Sequence, residues 1–328
     1  MESLPDFDLI RPRTLDEAVK ARQKFPGNRL LGGGTDLLVN IRRGIGDAPT
    51  ALIDMTNIAE LKTIKADAKK LKIGASVTIQ EVADDSTIAH HYPAIAEAAA
   101  SIAGPTQRAM GTLGGNLCLD TRCIYYNQSD WWRSANGFCL KYQGEKCHIA
   151  LKSKTCFATY SGDLAPAAMV LGAEVEIIGP NGQRRLTLTD LYSGDGQNYL
   201  TLEEGEIITA LSIKKEPGLR SGYEKIRTRQ SIDYPLAGVA AGLCREGNKI
   251  TDFHIAVTGT NPKPVLLDGT AHLVGGPLDD EFFNALDKLM SAQIKSMKTT
   301  LAPGNYRRKM AGVLARRLTK KLFDNYCQ

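Results

Sequence analysis

The chain has 328 residues, of which 43% are hydrophobic and 23% charged, and this composition excludes disordered, collagenous and coiled-coil proteins. Its length predicts two or three domains. The 41 basic and 36 acidic residues leave a formal net charge of +5, too small for the strong positive field of a typical nucleic-acid-binding protein.

The sequence pattern predicts neither a membrane span nor a signal peptide. The uncharged run at residues 234–244 is about half the ~20 residues that span a bilayer. The first eight residues contain three acids and no basic residue, so we expect no signal peptide and a cytoplasmic location. In a reducing compartment, clustered cysteines are more often metal ligands or reactive thiols than disulfides.

Caps and hydrophobic patterns predict the elements of the first hundred residues. Thr14 and Glu17 form the Thr-x-x-Glu capping-box pattern and begin a helix. Residues 29–40 follow as an apolar strand, a glycine turn and a second apolar run, and residues 61–79 are β-rich. A proline and a glycine bracket an alanine-rich helix at residues 94–103.

The second half of the chain has a predicted domain boundary. Residues 180–183 are typical of a hairpin turn, and a strand is predicted at residues 207–213. The polar residues 214–218 that follow are turn-forming, so we divide the chain into residues 1–217 and 218–328. The last helix is amphipathic, with its basic side chains predicted on a solvated or partner-facing surface.

Two glycine turns are candidate ligand sites. The first consists of Gly32, Gly33, Gly34, Thr35 and Asp36, and the second of Thr112, Leu113, Gly114, Gly115 and Asn116. Consecutive amides unshielded by side chains can bind a phosphate, although such a motif alone is more often a plain turn between strands. Neither turn has the Rossmann or P-loop pattern. Together they suit a ligand that runs between subdomains and needs phosphate and ribose contacts.

Residues 118–160 hold five of the seven cysteines and both tryptophans, and they behave as an insertion with its own organising chemistry. The five are Cys118, Cys123, Cys139, Cys147 and Cys156. No pair is spaced Cys-x-x-Cys, so zinc-ribbon and thioredoxin patterns are absent. An iron–sulfur cluster, a structural zinc ion and free structural cysteines all stay open at this point. His148 is interpreted as a packed or hydrogen-bonded histidine rather than a ligand.

Four motifs resemble, in order, landmarks of the FAD-binding subunits of molybdenum hydroxylases, the xanthine dehydrogenase and carbon monoxide dehydrogenase group. They are Leu31-Gly-Gly-Gly-Thr-Asp36, Thr112-Leu-Gly-Gly-Asn116, Asp163-Leu-Ala-Pro166 and Tyr223-Glu-Lys-Ile226. The match spans nearly the whole chain. In ordinary members the third motif follows the second closely, whereas here the cysteine-rich insertion separates them.

The resemblance implies the flavoprotein fold shared with vanillyl-alcohol oxidase, with two α+β subdomains at about residues 1–57 and 58–217 and a C-terminal α+β domain at residues 218–328. Lys225, which by its pattern alone is more simply explained by a salt bridge at a strand edge, would approach the flavin ring. The pyrophosphate of FAD would be held by Gly32, Gly33, Gly34, Thr35 and Asp36. Its phosphate, ribose or flavin would contact Thr112, Gly114, Gly115, Asn116 and Asp163.

The insertion resembles that of the β subunits of 4-hydroxybenzoyl-CoA reductases, which carries an additional [4Fe-4S] cluster. The similar stretches are Asn116-Leu-Cys-Leu-Asp-Thr-Arg-Cys123 and Tyr126-Asn-Gln-Ser-Asp-Trp-Trp-Arg133. The resemblance makes Cys123, Cys139, Cys147 and Cys156 the cluster ligands. Cys118 is left as a free thiol beside the second glycine turn.

The resemblance implies a subunit that relays electrons from ferredoxin, through the cluster and FAD, toward a molybdenum site that reductively dehydroxylates 4-hydroxybenzoyl-CoA to benzoyl-CoA. This chain would hold no catalytic residue, because partner chains would carry the molybdenum cofactor and the [2Fe-2S] clusters in a dimer of heterotrimers. Two alternatives stay open. One is a conventional hydroxylase subunit that passes electrons to NAD and has a structural zinc loop, and the other is a flavin-free scaffold with a zinc-stabilised docking surface.

Overall fold

The computed structural model of the chain describes residues 4–229, 231–297 and 302–325. Its strands are β1 (Asp8–Ile10), β2 (Arg29–Leu31), β3 (Ala51–Asp54), β4 (Ile64–Ala66), β5 (Lys70–Gly74), β6 (Glu174–Gly179), β7 (Gly182–Thr187), β8 (Ile207–Lys214), β9 (Arg220–Ile226), β10 (Ala237–Glu246), β11 (Lys249–Thr258) and β12 (Val265–Leu266). Its α-helices are α1 (Leu15–Lys24), α2 (Leu37–Arg42), α3 (Ile79–Asp84), α4 (Ser86–His91), α5 (Pro93–Ser101), α6 (Pro105–Arg108), α7 (Leu113–Leu117), α8 (Asp130–Ala135), α9 (Leu164–Met169), α10 (Asp280–Gln293) and α11 (Gly304–Asp324). Short 3₁₀ helices lie at Met55–Asn57, Ala59–Lys62 and Thr270–Leu273.

The first sheet is parallel and has the strand order β1-β3-β2. Its central strand is apolar, with Leu52 and Ile53 fully buried, as expected for a strand covered on both faces. Thr14 caps α1 by accepting a hydrogen bond from the Glu17 amide at 3.2 Å, which confirms the predicted helix start. The first glycine turn connects β2 to α2.

A five-stranded sheet follows, with the order β4-β5-β8-β6-β7 and antiparallel neighbours throughout. The predicted hairpin turn at residues 180–183 joins β6 to β7. Helices α3 to α5 pack beside one another, and α3 begins with a capping box, in which Thr78 and Glu81 form both reciprocal bonds. The apolar side chains of this sheet and these helices belong to one core.

The C-terminal sheet is antiparallel, with the order β12-β11-β10-β9, and α11 packs on β10 and β9. Its central strand β10 is buried on both faces. Val239 and Ala241 face α10 and α11, whereas Ala240 joins the core of the preceding domain, where α9 packs on β10 and β11. The small side chains of β10 therefore let two layers approach the same strand.

These three sheets with flanking helices confirm the predicted α+β class. Residues 215–219 connect β8 of the second sheet to β9 of the third, at the predicted boundary segment. The second glycine turn differs from the prediction, because it forms the first turn of α7 rather than an open turn. The Thr112 hydroxyl caps this helix by accepting from the Gly115 amide at 3.2 Å. Within the described residues, no helix has the length and apolarity of a membrane span.

Arg307 corrects the expectation that the basic side chains of α11 are solvated. It is buried, and its guanidinium donates to the carbonyls of Leu236 (2.8 Å), Met297 (3.3 Å) and Gly259. Burial lowers its pKa to about 10. The side chain ties the start of α11 to the loops before β10 and after β11.

Arg307→Met removes these donors and leaves buried carbonyls unpaired, so we expect the free energy of unfolding to fall by about 2 kcal/mol or more. Arg317→Met, at an exposed position of the same helix, serves as the control and is expected to change stability by less than about 0.5 kcal/mol. Urea denaturation of both variants measures the difference, and equal midpoints would contradict the anchoring role.

Candidate functional site

The two glycine turns lie against each other. A Cβ added at Gly33 would fall 1.6 Å from the Met110 carbonyl oxygen, and one added at Gly32 would fall 2.6 Å from Thr112 Oγ1. Gly34 has φ +71°, a left-handed conformation that favours glycine. Glycine is thus required here by the approach of the 110–112 backbone as well as by the turn itself, and the structure brings together motifs that lie far apart in sequence.

Backbone donors of the first turn are available to a ligand. Within the part of the chain that the structure describes, the amides of Gly33, Gly34 and Thr35 donate to no other protein group. Asp36, in contrast, is engaged: it forms an ion pair with Arg122 and accepts from Asn40 Nδ2 at 3.0 Å. The turn can therefore offer amides to an anion, while the Asp36 carboxylate serves as an internal anchor.

The second glycine turn is held by backbone hydrogen bonds to the residues after β5 and is hydrogen-bonded to the third motif. The amides of Leu113 and Gly114 donate to the carbonyls of Val77 and Ala75 at 2.9 and 2.8 Å. Asn116 Oδ1 accepts from the Leu164 amide at 3.1 Å. This bond places the first residues of α9 directly beside the end of the glycine turn.

Asp163 and Lys225 are paired with each other in the interior. Their side chains are 5% and 3% exposed, and Lys225 Nζ lies 3.1 and 3.2 Å from the two carboxylate oxygens. Tyr223 Oη donates to the same carboxylate at 2.5 Å. Burial raises the pKa of Asp163 and lowers that of Lys225, while the ion pair opposes both shifts. The Lys225 charge is therefore directed to Asp163.

The base of the cysteine-rich insertion is closed by paired backbone bonds. Arg122 and Thr159 exchange two N–H···O bonds of 2.7 Å. The Arg122 guanidinium also donates to Asn40 Oδ1 at 3.2 Å and to Tyr234 Oη at 2.9 Å, in addition to its ion pair with Asp36. The insertion is thereby joined to the first glycine turn and to the C-terminal domain at the residue that precedes Cys123.

Four cysteines of the insertion line one narrow cavity of about 10 Å³. They are Cys123, Cys139, Cys147 and Cys156, the four assigned as ligands by the resemblance. The remaining wall is largely aromatic and apolar, formed by Tyr125, Tyr126, Leu140, Lys141, His148 and Ala158. Within the described residues, no group of three or more His, Cys, Asp or Glu side chains is arranged around a single metal ion.

The thiols differ in their surroundings. Burial raises the pKa of Cys156 to about 12, while the Ala158 amide and the Lys141 ammonium act in the opposite direction. Cys118 lies outside the cavity, packed against the main core beside the second glycine turn, and burial raises its pKa to about 12. His148 Nε2 donates to the Phe138 carbonyl at 2.6 Å, and the ring stacks on Tyr125, so His148 is a packed, hydrogen-bonded residue.

Three residues that the sequence reasoning passed over support these sites. Tyr223 belongs to the fourth motif, but its hydroxyl meets Asp163 only in the folded chain. Arg122 and Lys141 have no local pattern that distinguishes them from surface cations. What distinguishes them is burial by residues that lie far away in the sequence. A single sequence carries no information on that burial.

We expect Gly33→Ala to lose most bound flavin, because the new Cβ displaces the 110–112 backbone and disturbs both turns. Gly276→Ala is the matched control, since its Cβ meets no atom within 4 Å. The flavin-to-protein ratio after gel filtration measures the effect. Full flavin content in Gly33→Ala would show that the ligand does not depend on this contact.

Lys225→Met leaves the Asp163 carboxylate buried without its cation, which raises the folded-state pKa of Asp163 further. At a pH between the pKa of Asp163 in the unfolded state and its higher pKa in the folded state, the folded state binds one more proton than the unfolded state. The variant's free energy of unfolding therefore falls as pH rises. We expect a loss of about 3 to 5 kcal/mol at neutral to alkaline pH and a smaller loss in mild acid.

Denaturant titrations across this pH range test the expectation. The double variant Asp163→Asn/Lys225→Met has no carboxylate at position 163 and should lose the additional pH dependence. An equal slope in the single and double variants would mean that Asp163 is not the titrating group.

Comparison with known proteins identifies the family. The family model described as the FAD binding domain in molybdopterin dehydrogenase matches residues 5–214, and the CO dehydrogenase flavoprotein C-terminal domain matches residues 222–322. The aldehyde oxidoreductase FAD-binding subunit PaoB of Escherichia coli K12 is 32% identical, over 79% of this chain and 82% of its own length. The carbon monoxide dehydrogenase medium chain of Afipia carboxidovorans is 29% identical over 96% of both chains.

Solved structures agree with this assignment. A chain of reconstituted CO dehydrogenase from Oligotropha carboxidovorans superposes with a TM-score of 0.81 and 27% identity, covering 98% of this chain and 99% of its own. Quinoline 2-oxidoreductase from Pseudomonas putida 86 has the same fold, with a TM-score of 0.80. The chain belongs to the FAD-binding subunits of the molybdenum hydroxylase family, as the order of its motifs predicted.

Proposed function

We propose that this chain is the FAD and [4Fe-4S] electron-transfer subunit of an enzyme of the 4-hydroxybenzoyl-CoA reductase type. Electrons enter from ferredoxin at the cluster and pass through FAD toward a molybdenum site on another chain, where 4-hydroxybenzoyl-CoA is dehydroxylated to benzoyl-CoA. The observation that carries the proposal is the single cavity lined by Cys123, Cys139, Cys147 and Cys156.

The donor set and the resemblance of the insertion support the cluster. The four cysteines line one cavity, and its other walls are largely aromatic and apolar. Four cysteine thiolates are the donor set of a [4Fe-4S] cluster and also of a structural zinc ion. The resemblance of the insertion to the cluster-carrying insertion of 4-hydroxybenzoyl-CoA reductases favours the cluster.

The glycine turns supply a fitting site for FAD. The amides of Gly33, Gly34 and Thr35 would bind the pyrophosphate, and the surroundings of Thr112 and Asn116 would contact phosphate, ribose or flavin. The buried Asp163–Lys225 pair would hold the start of α9 and the end of β9 in place beside this site. When bound, FAD exchanges one or two electrons, which suits a relay to a one-electron cluster.

The proposed partner chains rest on the resemblance to molybdenum hydroxylase subunits. We propose that separate chains hold the molybdenum cofactor and the [2Fe-2S] clusters, and that the complex is a dimer of heterotrimers. The relatives support a multi-chain enzyme, since their names describe a FAD-binding subunit and a medium chain.

A conventional hydroxylase subunit is the second candidate. The names of the relatives, which include aldehyde oxidoreductase, carbon monoxide dehydrogenase and xanthine dehydrogenase, favour it. In that enzyme FAD would pass electrons to NAD, and the insertion would hold structural zinc. Iron, sulfide, zinc and FAD counts on the purified complex separate the two candidates, because stoichiometric zinc without iron would overturn the first.

The cysteine assignment has its own test. We expect Cys139→Ser and Cys147→Ser to eliminate or destabilise the cluster, seen as loss of iron and of its low-temperature electron paramagnetic resonance signal. Flavin should be retained, because the glycine turns lie outside the insertion. Reduction by ferredoxin should fail in both variants.

Cys118→Ser is the matched control, since Cys118 is partly buried and lies outside the cavity. It should keep full iron content. A cluster that is lost in Cys118→Ser and kept in the other two variants would overturn the choice of ligands.

A further inference from the structure

Lys141 is a buried cation beside the four-cysteine cavity. Its side chain is 4% exposed, and its ammonium donates to Asp120 Oδ1 at 2.8 Å, Thr121 Oγ1 at 2.6 Å and the Gly196 carbonyl at 2.6 Å. Asp120 and Thr121 lie near the start of the insertion, and Gly196 lies in the domain sequence after it. A lysine is rarely buried this fully without a specific electrostatic reason.

Lys141 shares the wall of the cavity with the four cysteines. Its Nζ lies 5.1 Å from the ring centre of Tyr126, another wall residue. The Gly196 amide donates to the Cys156 carbonyl at 2.8 Å, so one acceptor of Lys141 is hydrogen-bonded to a proposed ligand.

Asp120 places the opposite charge at the same point. Its carboxylate is 31% exposed and accepts from both Lys141 Nζ and the Thr121 amide, the latter at 2.8 Å. The cation is therefore buried beside the cavity, whereas its partner anion is partly solvated. Solvent screens the carboxylate more than the ammonium, which leaves a net positive field at the cavity.

A cluster held by four thiolates is a buried anion, and one-electron reduction adds a further negative charge. A fixed cation nearby stabilises the reduced form more than the oxidised form, and a fixed anion does the opposite. We propose that Lys141 and Asp120 are a positioned charge pair that sets the reduction potential of the cluster, with Lys141 raising it and Asp120 lowering it. This inference rests on the proposed cluster.

Two variants test the pair by the sign of their effects. Lys141→Met keeps the aliphatic stem and removes the cation, so the cluster should become harder to reduce. Asp120→Asn removes the anion and should make it easier to reduce. We expect each variant to change the ratio of reduced to oxidised cluster at least tenfold at a fixed potential, which is about 59 mV for a one-electron couple.

The measurement is a potentiometric titration of the assembled complex, monitored by the electron paramagnetic resonance of the reduced cluster. Lys146→Met is the matched control, because it removes the same charge from an exposed position of the insertion and should leave the potential nearly unchanged. Opposite shifts in Lys141→Met and Asp120→Asn support the proposal. A common shift of the same sign, or no shift, in complexes that retain iron would overturn it.

The proposed function can fail separately. If the unmodified complex contains no iron, the cluster itself is absent. If Lys141→Met alone loses iron, Asp120→Asn still decides the matter, since its carboxylate is partly solvated and its loss is tolerated more easily. An unshifted potential in Asp120→Asn with full iron would then overturn the inference.

Discussion

The contact between Gly33 and the Met110 carbonyl is the constraint on which the site depends. No side chain fits between these two backbones, because even a single carbon would fall 1.6 Å from the oxygen. The contact holds the turn after the parallel sheet against the start of α7, which is itself anchored to the residues after β5. Unpaired amides of the first turn are thereby presented beside a second, rigid turn.

Buried charge organises the rest of the molecule. Asp163 and Lys225 join the FAD-binding domain to the C-terminal sheet through an ion pair that solvent barely reaches. Such a pair costs desolvation energy and contributes chiefly by requiring one arrangement of the two elements, since either charge alone would be strongly unfavourable. Arg307 has a similar role at α11, where carbonyl oxygens replace a carboxylate as its partners.

The insertion adds a separate structural unit without disturbing the family fold. Its two ends meet at Arg122 and Thr159, so the loop leaves and re-enters the domain at one place. Arg122 extends this junction to Asp36, and Lys141 extends it to Gly196. A segment whose two ends are joined by hydrogen bonds in this way can form its own cavity. This explains how the family fold accommodates about forty additional residues, roughly the length of residues 118–160.

Much of the local structure was determined by the sequence alone. Thr14 and Thr78 begin helices because each hydroxyl accepts from the amide three residues later, which satisfies a free amide of the first helical turn locally. The α+β class, the family and the cysteine-rich insertion also follow from patterns that are contiguous or ordered along the chain. The role of Thr112 as a helix cap was missed, because glycines after it are poor helix formers unless tertiary contacts support them.

Only the tertiary structure decided which distant groups meet. The pairing of Lys225 with Asp163 and the burial of Arg307 and Lys141 each depend on long-range packing. A cation on a helix or loop has the same local pattern whether it is solvated or buried. Its environment is set by elements that lie far away in the sequence, and for that reason the sequence determined the parts of the site and the fold determined their electrostatics.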